Sequence, residues 1–428
     1  MRVATRHYTS AVEAADRLDD LGDDDVDEAY KELFEVGVAA GELDVALAAG
    51  IRAVHMASSQ VERARLLARV ALCRAEGDGS FSHARVELET EIAMLGDDDV
   101  VAGSWYWSYL AGLCYRLGDN VGAETYAMAV LDEPAAPETA MPRALALMAR
   151  HTMLVDRADP SRFEIGDAAI AAAEEAGDVD MLGAIHSNVG VALHYSGDCE
   201  GAIGHYRRAA EIADRRGDTS RLFYVRLNEA VLRSDQGRWA EARPTLDDLR
   251  RATQYDSIGY CHALSLRELG RLEVHAGRLE QGRSWLIEAK DWFASAGNRD
   301  ERIEAEIALI ECSLAEGRSD DVLAAEPNLV ASIGNDALPH YLDGLIDHLV
   351  GSALLQRAEG REALARFDRG VAATADAYPF NHALLLVDKG KAEHALGRRR
   401  SAQRTREKAD AILAAFRVEA LPYVPPPR

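Results

Sequence analysis

From Leu182 to Asp218 the apolar residues return every three or four positions, as Leu182, Ile185, Val189, Ala192 and Leu193 and then as Ala202, Tyr206, Ala209 and Ala213. That spacing predicts two amphipathic helices. They are broken at Gly197-Asp198, where glycine suits the left-handed residue after a helix and aspartate can cap the free N–H groups of the next. Gly217-Asp218 repeats the device. A lone hairpin of this kind leaves apolar surface uncovered, so copies of it must stack.

Copies are visible along the chain. The turn position recurs at Gly41, Gly79, Gly118, Gly197, Gly237, Gly277, Gly317, Ala358 and Gly397, at intervals of 38 to 41 residues with one double interval of 79. The polar loop Asp156-Arg157-Ala158-Asp159-Pro160 supplies the missing turn near 157. Five residues after each turn stands Ala46, Ala84, Ala123, Ala202, Ala242, Gly282, Val322, Ala363 or Ala402. Small residues belong there because two helices approach closely only where neither carries bulk. A third ladder, Gly96-Asp97, Gly177-Asp178, Gly217-Asp218, Gly297-Asn298 and Gly334-Asn335, marks the far ends of the second helices as a stop followed by an N-cap. No alternating run outcompetes the helical reading as a strand.

The residues Asn188-Val189-Gly190, Leu193, Gly197, Ala202, Tyr206 and Ala209 resemble a tetratricopeptide repeat, with its small residue late in the first helix, its turn glycine and its small-aromatic-small series in the second. The resemblance covers nearly the whole chain and implies an all-α, right-handed α-solenoid of about ten helical hairpins. The period near 40 exceeds the usual 34 and resembles the arrays of large bacterial signalling proteins. Residues 1–22 are expected to form an N-terminal capping helix, 23–416 the repeat array, and 417–428 a Pro-rich tail that frays or lies extended. The hairpins near 157 and 317 fit worst, the latter with Glu326 where an aromatic or Leu is expected.

A formal net charge of -24 argues against nucleic acid or anionic lipid as a general partner, because counterion release needs a basic surface. Of 48 basic residues only five are Lys, a bias associated with GC-rich bacterial genomes. Five scattered cysteines without a C-x-x-C pair read as reduced thiols of a cytoplasmic protein. Neither an export signal nor a membrane span is evident in the sequence.

Candidate chemistry is thin, and no cofactor or metal is expected. Gly277 to Ser284 has the spacing of a phosphate loop with Arg283 in place of Lys, but it is an interhelical turn in phase with the array and follows no strand. Asp23, Asp25 and Asp27 mimic the start of a calcium loop, whose sixth and twelfth positions are here Glu28 and Phe34. The pairs His186 with His194 and His340 with His348, and the line His340, Asp343, Asp347, lack a metal-hydrolase pattern. Nothing organises a nucleophile, a base and oxyanion donors together, so the chain is read as no enzyme.

In the family's geometry the first helix of each hairpin lines the concave face. The resemblance therefore places Trp105 and Tyr115 on the groove, then Asn188, His194 and Tyr195, then Asn228 with Val231 and Asp235, then Arg267, Arg271 and His275. The aromatics are either a ligand platform or inter-repeat core. Asn188 and Asn228, one repeat apart, can hold a ligand backbone, and Arg267 with Arg271 an acidic group. As exposed groove residues, Asn228 and Arg271 should be replaceable without loss of stability. The basic run Arg398, Arg399, Arg400, Arg404, Arg406 and Lys408 carries no helix-turn-helix signature and reads as a salt-bridge surface. The function expected is a non-enzymatic scaffold or regulatory module binding a protein or peptide partner, or a small signalling ligand. The alternative is a ligand-sensing array acting with a separate nucleotide cyclase or ATP-dependent transcription regulator.

Overall fold

The computed structural model describes residues 23–40, 42–95, 99–254, 259–333, 340–374 and 378–422. The expected capping helix within 1–22, Gly41, Gly96-Asp97, Gly334-Asn335 and the side chains of His340 and Asp343 lie outside the described residues. Among the described residues, twenty α-helices pair into ten hairpins and no strand occurs. In chain order these are α1 and α2 (Asp23–Ala40, Leu43–Met56), α3 and α4 (Gln60–Asp78, Phe81–Leu95), α5 and α6 (Val100–Arg116, Asn120–Leu131), α7 and α8 (Ala140–Asp156, Arg162–Glu175), and α9 and α10 (Val179–Ser196, Cys199–Arg216). Then come α11 and α12 (Thr219–Asp235, Trp239–Thr253), α13 and α14 (Gly259–His275, Leu279–Ser295), α15 and α16 (Arg299–Ala315, Ser319–Ile333), α17 and α18 (His340–Gln356, Gly360–Thr374), and α19 and α20 (Pro379–Ala395, Arg399–Ala415).

The turns are built as the ladder requires. Gly79, Gly118, Gly197, Gly237, Gly277, Gly317 and Gly397 have φ between 73° and 94°. Ala158, in the turn without a glycine signal, and Ala358 adopt the same conformation at 52° and 61°. Asp119, Asp178, Asp198 and Asp218 accept the N–H three residues on. Asn298 departs from the expectation: it makes no side-chain capping bond. The seam of small residues is fully buried at Ala46, Ala84, Ala123, Ala202, Ala242 and Ala363. Opposite the seam, a Cβ added to Gly190 would run into the Tyr206 ring, so the small residue late in α9 is what admits the aromatic of α10. Glu326, the misfit of the sequence pattern, faces a cation instead of core: Arg366 holds both its oxygens, at 2.5 and 2.9 Å.

Each hairpin adds a small rotation, and the sum closes the superhelix upon itself. First helices five hairpins apart meet: α11 packs on α1, α13 on α3 and α19 on α9. Thr219 donates to the Ala39 carbonyl at 2.8 Å, and Tyr378 donates to the carbonyls of Val155 and Asp156, both at 2.8 Å. The inner helices therefore surround a narrow lumen rather than an open groove. Residues 418–422 are non-helical but docked, with the Glu419 N–H donating to the Gln236 carbonyl at 2.8 Å. Among the described residues no helix is long and apolar enough to cross a membrane.

Candidate functional site in the lumen

The first helix of each hairpin turns its inner face to the lumen, so residues one repeat apart become neighbours. From α9 to α19 these neighbours alternate in charge. His194 Nε2 lies 3.2 Å from Asp235, and Asp235 lies 2.7 Å from Arg271. His275 stands 3.5 Å from Glu311, and His348 stands 2.9 Å from Asp388. Ser352 and Lys391 close on the same Asp388 carboxylate at 2.8 and 2.6 Å. Arg267 is held by Glu268, Glu301 and Glu304.

Burial would raise these carboxyls, yet their partners win. Arg271 and His194 hold Asp235 below its ordinary range, His275 and Arg271 do so for Glu311, and His348 and Lys391 push Asp388 far down. A pair buried this well is costly to break, since the remaining charge has nowhere to go.

Within this ladder the lumen opens into a cavity of about 140 Å³. Its lining mixes apolar side chains, from Val231, Ile307, Leu345, Leu349, Phe380 and Phe416, with charged ones, from His194, Asp235, Arg267, Arg271, Glu304 and Glu311. Pro422 of the tail completes the wall. Towards the N-terminal side the lumen changes character. Tyr115 donates to Asp156 at 2.8 Å, Tyr260 donates to Glu301 at 2.8 Å, and Arg116 pairs with Glu76 while lying 4.9 Å over the Tyr260 ring. Burial, with Glu304, Asp300 and Glu301 nearby, pushes the Asp156 carboxyl up to about 8 against the Tyr115 hydrogen bond.

Of the residues singled out in the sequence, His194, Tyr195, Arg267 and Arg271 meet in the cavity, together with Val231, Asp235 and His275. Tyr115 is placed beside Asp156. Three candidates stand elsewhere. Trp105 is 8% exposed and belongs to the inter-repeat core, a correction that follows from the bulk it must bury between α3 and α7. The Asn188 amide donates to Thr152 at 3.5 Å and that of Asn228 to Ser187 at 3.1 Å, so both bind the preceding repeat. Arg267 and Arg271, expected as free anion receptors, already hold carboxylates.

The sequence reading overlooked Glu304, Glu311, Asp388, Phe380 and Phe416 and left His348 unpartnered. A usable signal existed: complementary side chains one period apart, as in Glu76/Arg116, Tyr115/Asp156, His194/Asp235 and His348/Asp388. Elsewhere His186 and His205 meet Nδ1 to Nδ1 at 3.1 Å, with burial and their mutual charge lowering His186 to about 4. Among the described residues no group of three or more His, Cys, Asp or Glu side chains could hold a metal ion. The stretch from Gly277 to Ser284 is a helical turn whose Arg283 pairs with Glu316 at 2.7 Å.

No family model and no curated protein matches the sequence. Solved structures do match in shape. A Rap protein solved in complex with Competence and Sporulation Factor is similar over 83% of this chain and 100% of its own, at 12% identity and a TM-score of 0.64. Aspartyl phosphate phosphatase F from Bacillus subtilis aligns over 83% of this chain and 94% of its own, at 14% identity and a TM-score of 0.49. Yeast Tom70 aligns over 96% and 81%, at 16% identity and a TM-score of 0.36. Scores below 0.5 add nothing to the assignment. The ten stacked hairpins and the first of these likenesses fix the fold as an all-α, tetratricopeptide-like solenoid.

Proposed function

We propose that the protein is a non-catalytic binding module that takes a peptide, a segment of a protein partner or a small signalling ligand into its lumen. The observation that carries this reading is the cavity itself, where six successive inner helices bring together apolar side chains and paired charges of both signs. Apolar walls supply affinity and a few placed charges supply orientation. A short peptide has both chemistries, since its termini or side chains can exchange with the intramolecular partners of Arg271, Asp235 and Glu311. The similar Rap protein was solved with a factor bound, which supports a ligand-binding use of this architecture by analogy alone. Five unpaired, buried cysteines support a reducing, cytoplasmic setting.

The test is affinity selection from a randomised pentapeptide library. The wild type should retain a defined set of peptides, Leu349→Trp, which fills the cavity, should lose it, and Arg406→Ala on the outer face of α20 should keep it. Retention of the same peptides by a folded Leu349→Trp protein rules the lumen out.

A further inference from the structure

The chain after α20 does something that sealing the last hairpin does not require. Arg417 turns it with φ of 56°, and the Val418 N–H closes the helix on the Leu413 carbonyl at 2.9 Å. From there residues 418–422 cross to the turn between α11 and α12, which lies one superhelical turn earlier in the chain. Gln236 receives them. Its side-chain amide donates to the Phe416 carbonyl at 2.9 Å, and its own carbonyl accepts the Glu419 N–H at 2.8 Å. Gly237, at φ of 73°, lets Ala420 lie directly against the turn, because any Cβ there would collide with the Ala420 backbone. Val418 and Leu421 pack against the core of the last hairpin, Ala383, Leu386, Val387, Ala409 and Leu413, and Pro422 reaches the cavity.

Backbone hydrogen bonds to a rim, a glycine that admits the incoming main chain and apolar side chains in pockets are the elements by which an extended peptide is recognised. A second observation points the same way. Gln236 is only 4% exposed, and its Oε1 is buried with no hydrogen-bond partner. An acceptor left so is costly, and a chain that donated one more N–H to it would be held better than the present strap.

We propose that the Gln236-Gly237 rim is a peptide site occupied in cis by residues 418–422, and that an extended apolar segment carrying a proline, entering the lumen, displaces this strap. The proposal rests on the lumen being the ligand site, and it adds the regulation: the protein's own chain keeps the mouth closed until a segment of the same chemistry competes. A tethered strap has a high effective concentration, so only a ligand that also gains contacts inside the lumen replaces it.

The test uses the full chain and a fluorescein-labelled synthetic peptide of sequence Val-Glu-Ala-Leu-Pro-Tyr. Leu421→Asp frees the strap by removing an apolar anchor and leaves the rim intact. It should bind the peptide at least ~tenfold more tightly than the wild type, because the intramolecular competitor is gone. Adding Gln236→Ala should abolish the gain. Wild-type hydrogen exchange at the Glu419 amide needs no substitution and should accelerate as peptide is added. If Leu421→Asp takes the peptide no better than the wild type, or if Glu419 exchange is unchanged at saturating peptide, the strap is mere structure and the proposal falls. If the peptide gain survives Leu349→Trp, the rim site stands and the deeper lumen is not its continuation, so the two readings fail separately.

Discussion

Asp156, half-buried, and Asp388, buried, are carboxyls on inner helices, each touching a residue one repeat away, yet they are driven in opposite directions. Asp156 is given a tyrosine and three neighbouring carboxylates, and burial pushes it up to about 8. Asp388 is given His348, Lys391 and Ser352, and these outweigh burial and push it far down. The backbone frame is the same in both cases. What differs is the side chain that the adjoining repeat delivers, and this divides the lumen into a carboxylate-rich part and an ion-paired part where the cavity lies.

The largest way to break that contrast is to remove a cation from the ion-paired part. Arg271→Ala leaves Asp235 with His194 alone and Glu268 with Arg267, and should destabilise by ~3 kcal/mol in chemical denaturation. This corrects the expectation from sequence that Arg271 is dispensable for stability, and an unchanged denaturation midpoint would mean the pair is solvated.

Asp156→Asn sharpens the comparison from the other side. A carboxyl raised by folding contributes stability that is fully present below the ordinary carboxyl range and is lost as pH rises through about 8. The amide removes that loss and still accepts from Tyr115. Its stability relative to wild type should grow between pH 5 and 8, by at most ~1.4 kcal/mol per pH unit. Asp388 has the opposite sign: lowered by its partners, it contributes stability present above the ordinary carboxyl range and lost as pH falls through its depressed value. Melting of Asp388→Asn should therefore converge with that of the wild type on acidification, whereas Asp156→Asn diverges on going alkaline. Parallel curves for the two variants would erase the contrast.

A smaller effect is expected where the two parts should not differ. Ala123 and Ala242 occupy the same seam position in the two parts and are both fully buried, so Leu at either should overpack its hairpin by ~1 to 3 kcal/mol. Thermal melts that separate the two sites widely would show that the seam is not one repeating device. Smallest of all, Arg406→Ala on exposed α20 should shift stability by less than ~0.5 kcal/mol.

The hairpins were legible because their cause is local: a turn residue recurs along the chain, with a small residue five positions on in most repeats and a capping aspartate in several. Even the turn without a glycine was found from a polar loop, and Ala158 adopts the conformation that the register demanded. Superhelical closure has no such local mark. It arises from small rotations added over five hairpins, so contacts such as Thr219 with Ala39 and Gln236 with Phe416 could not be foreseen from any one repeat. The site was half legible for the same reason. Register, with the inward first helices that the resemblance implies, assembled His194, Tyr195, Arg267 and Arg271, but whether an inner residue is free depends on the neighbouring repeat, and that is where Asn188, Asn228 and both arginines found partners. Trp105 shows the limit of composition: an aromatic cluster signals buried area before it signals a ligand platform.

The central claim, that the lumen between α9 and α19 receives the ligand, is tested most directly by a crystal structure of the protein with a peptide selected from the randomised library. The account predicts density inside the cavity, in contact with Leu349 and Phe380 and with Asp235, Arg271 and Glu311. Peptide density on the outer helices, with the lumen side chains paired as they are now, would contradict it.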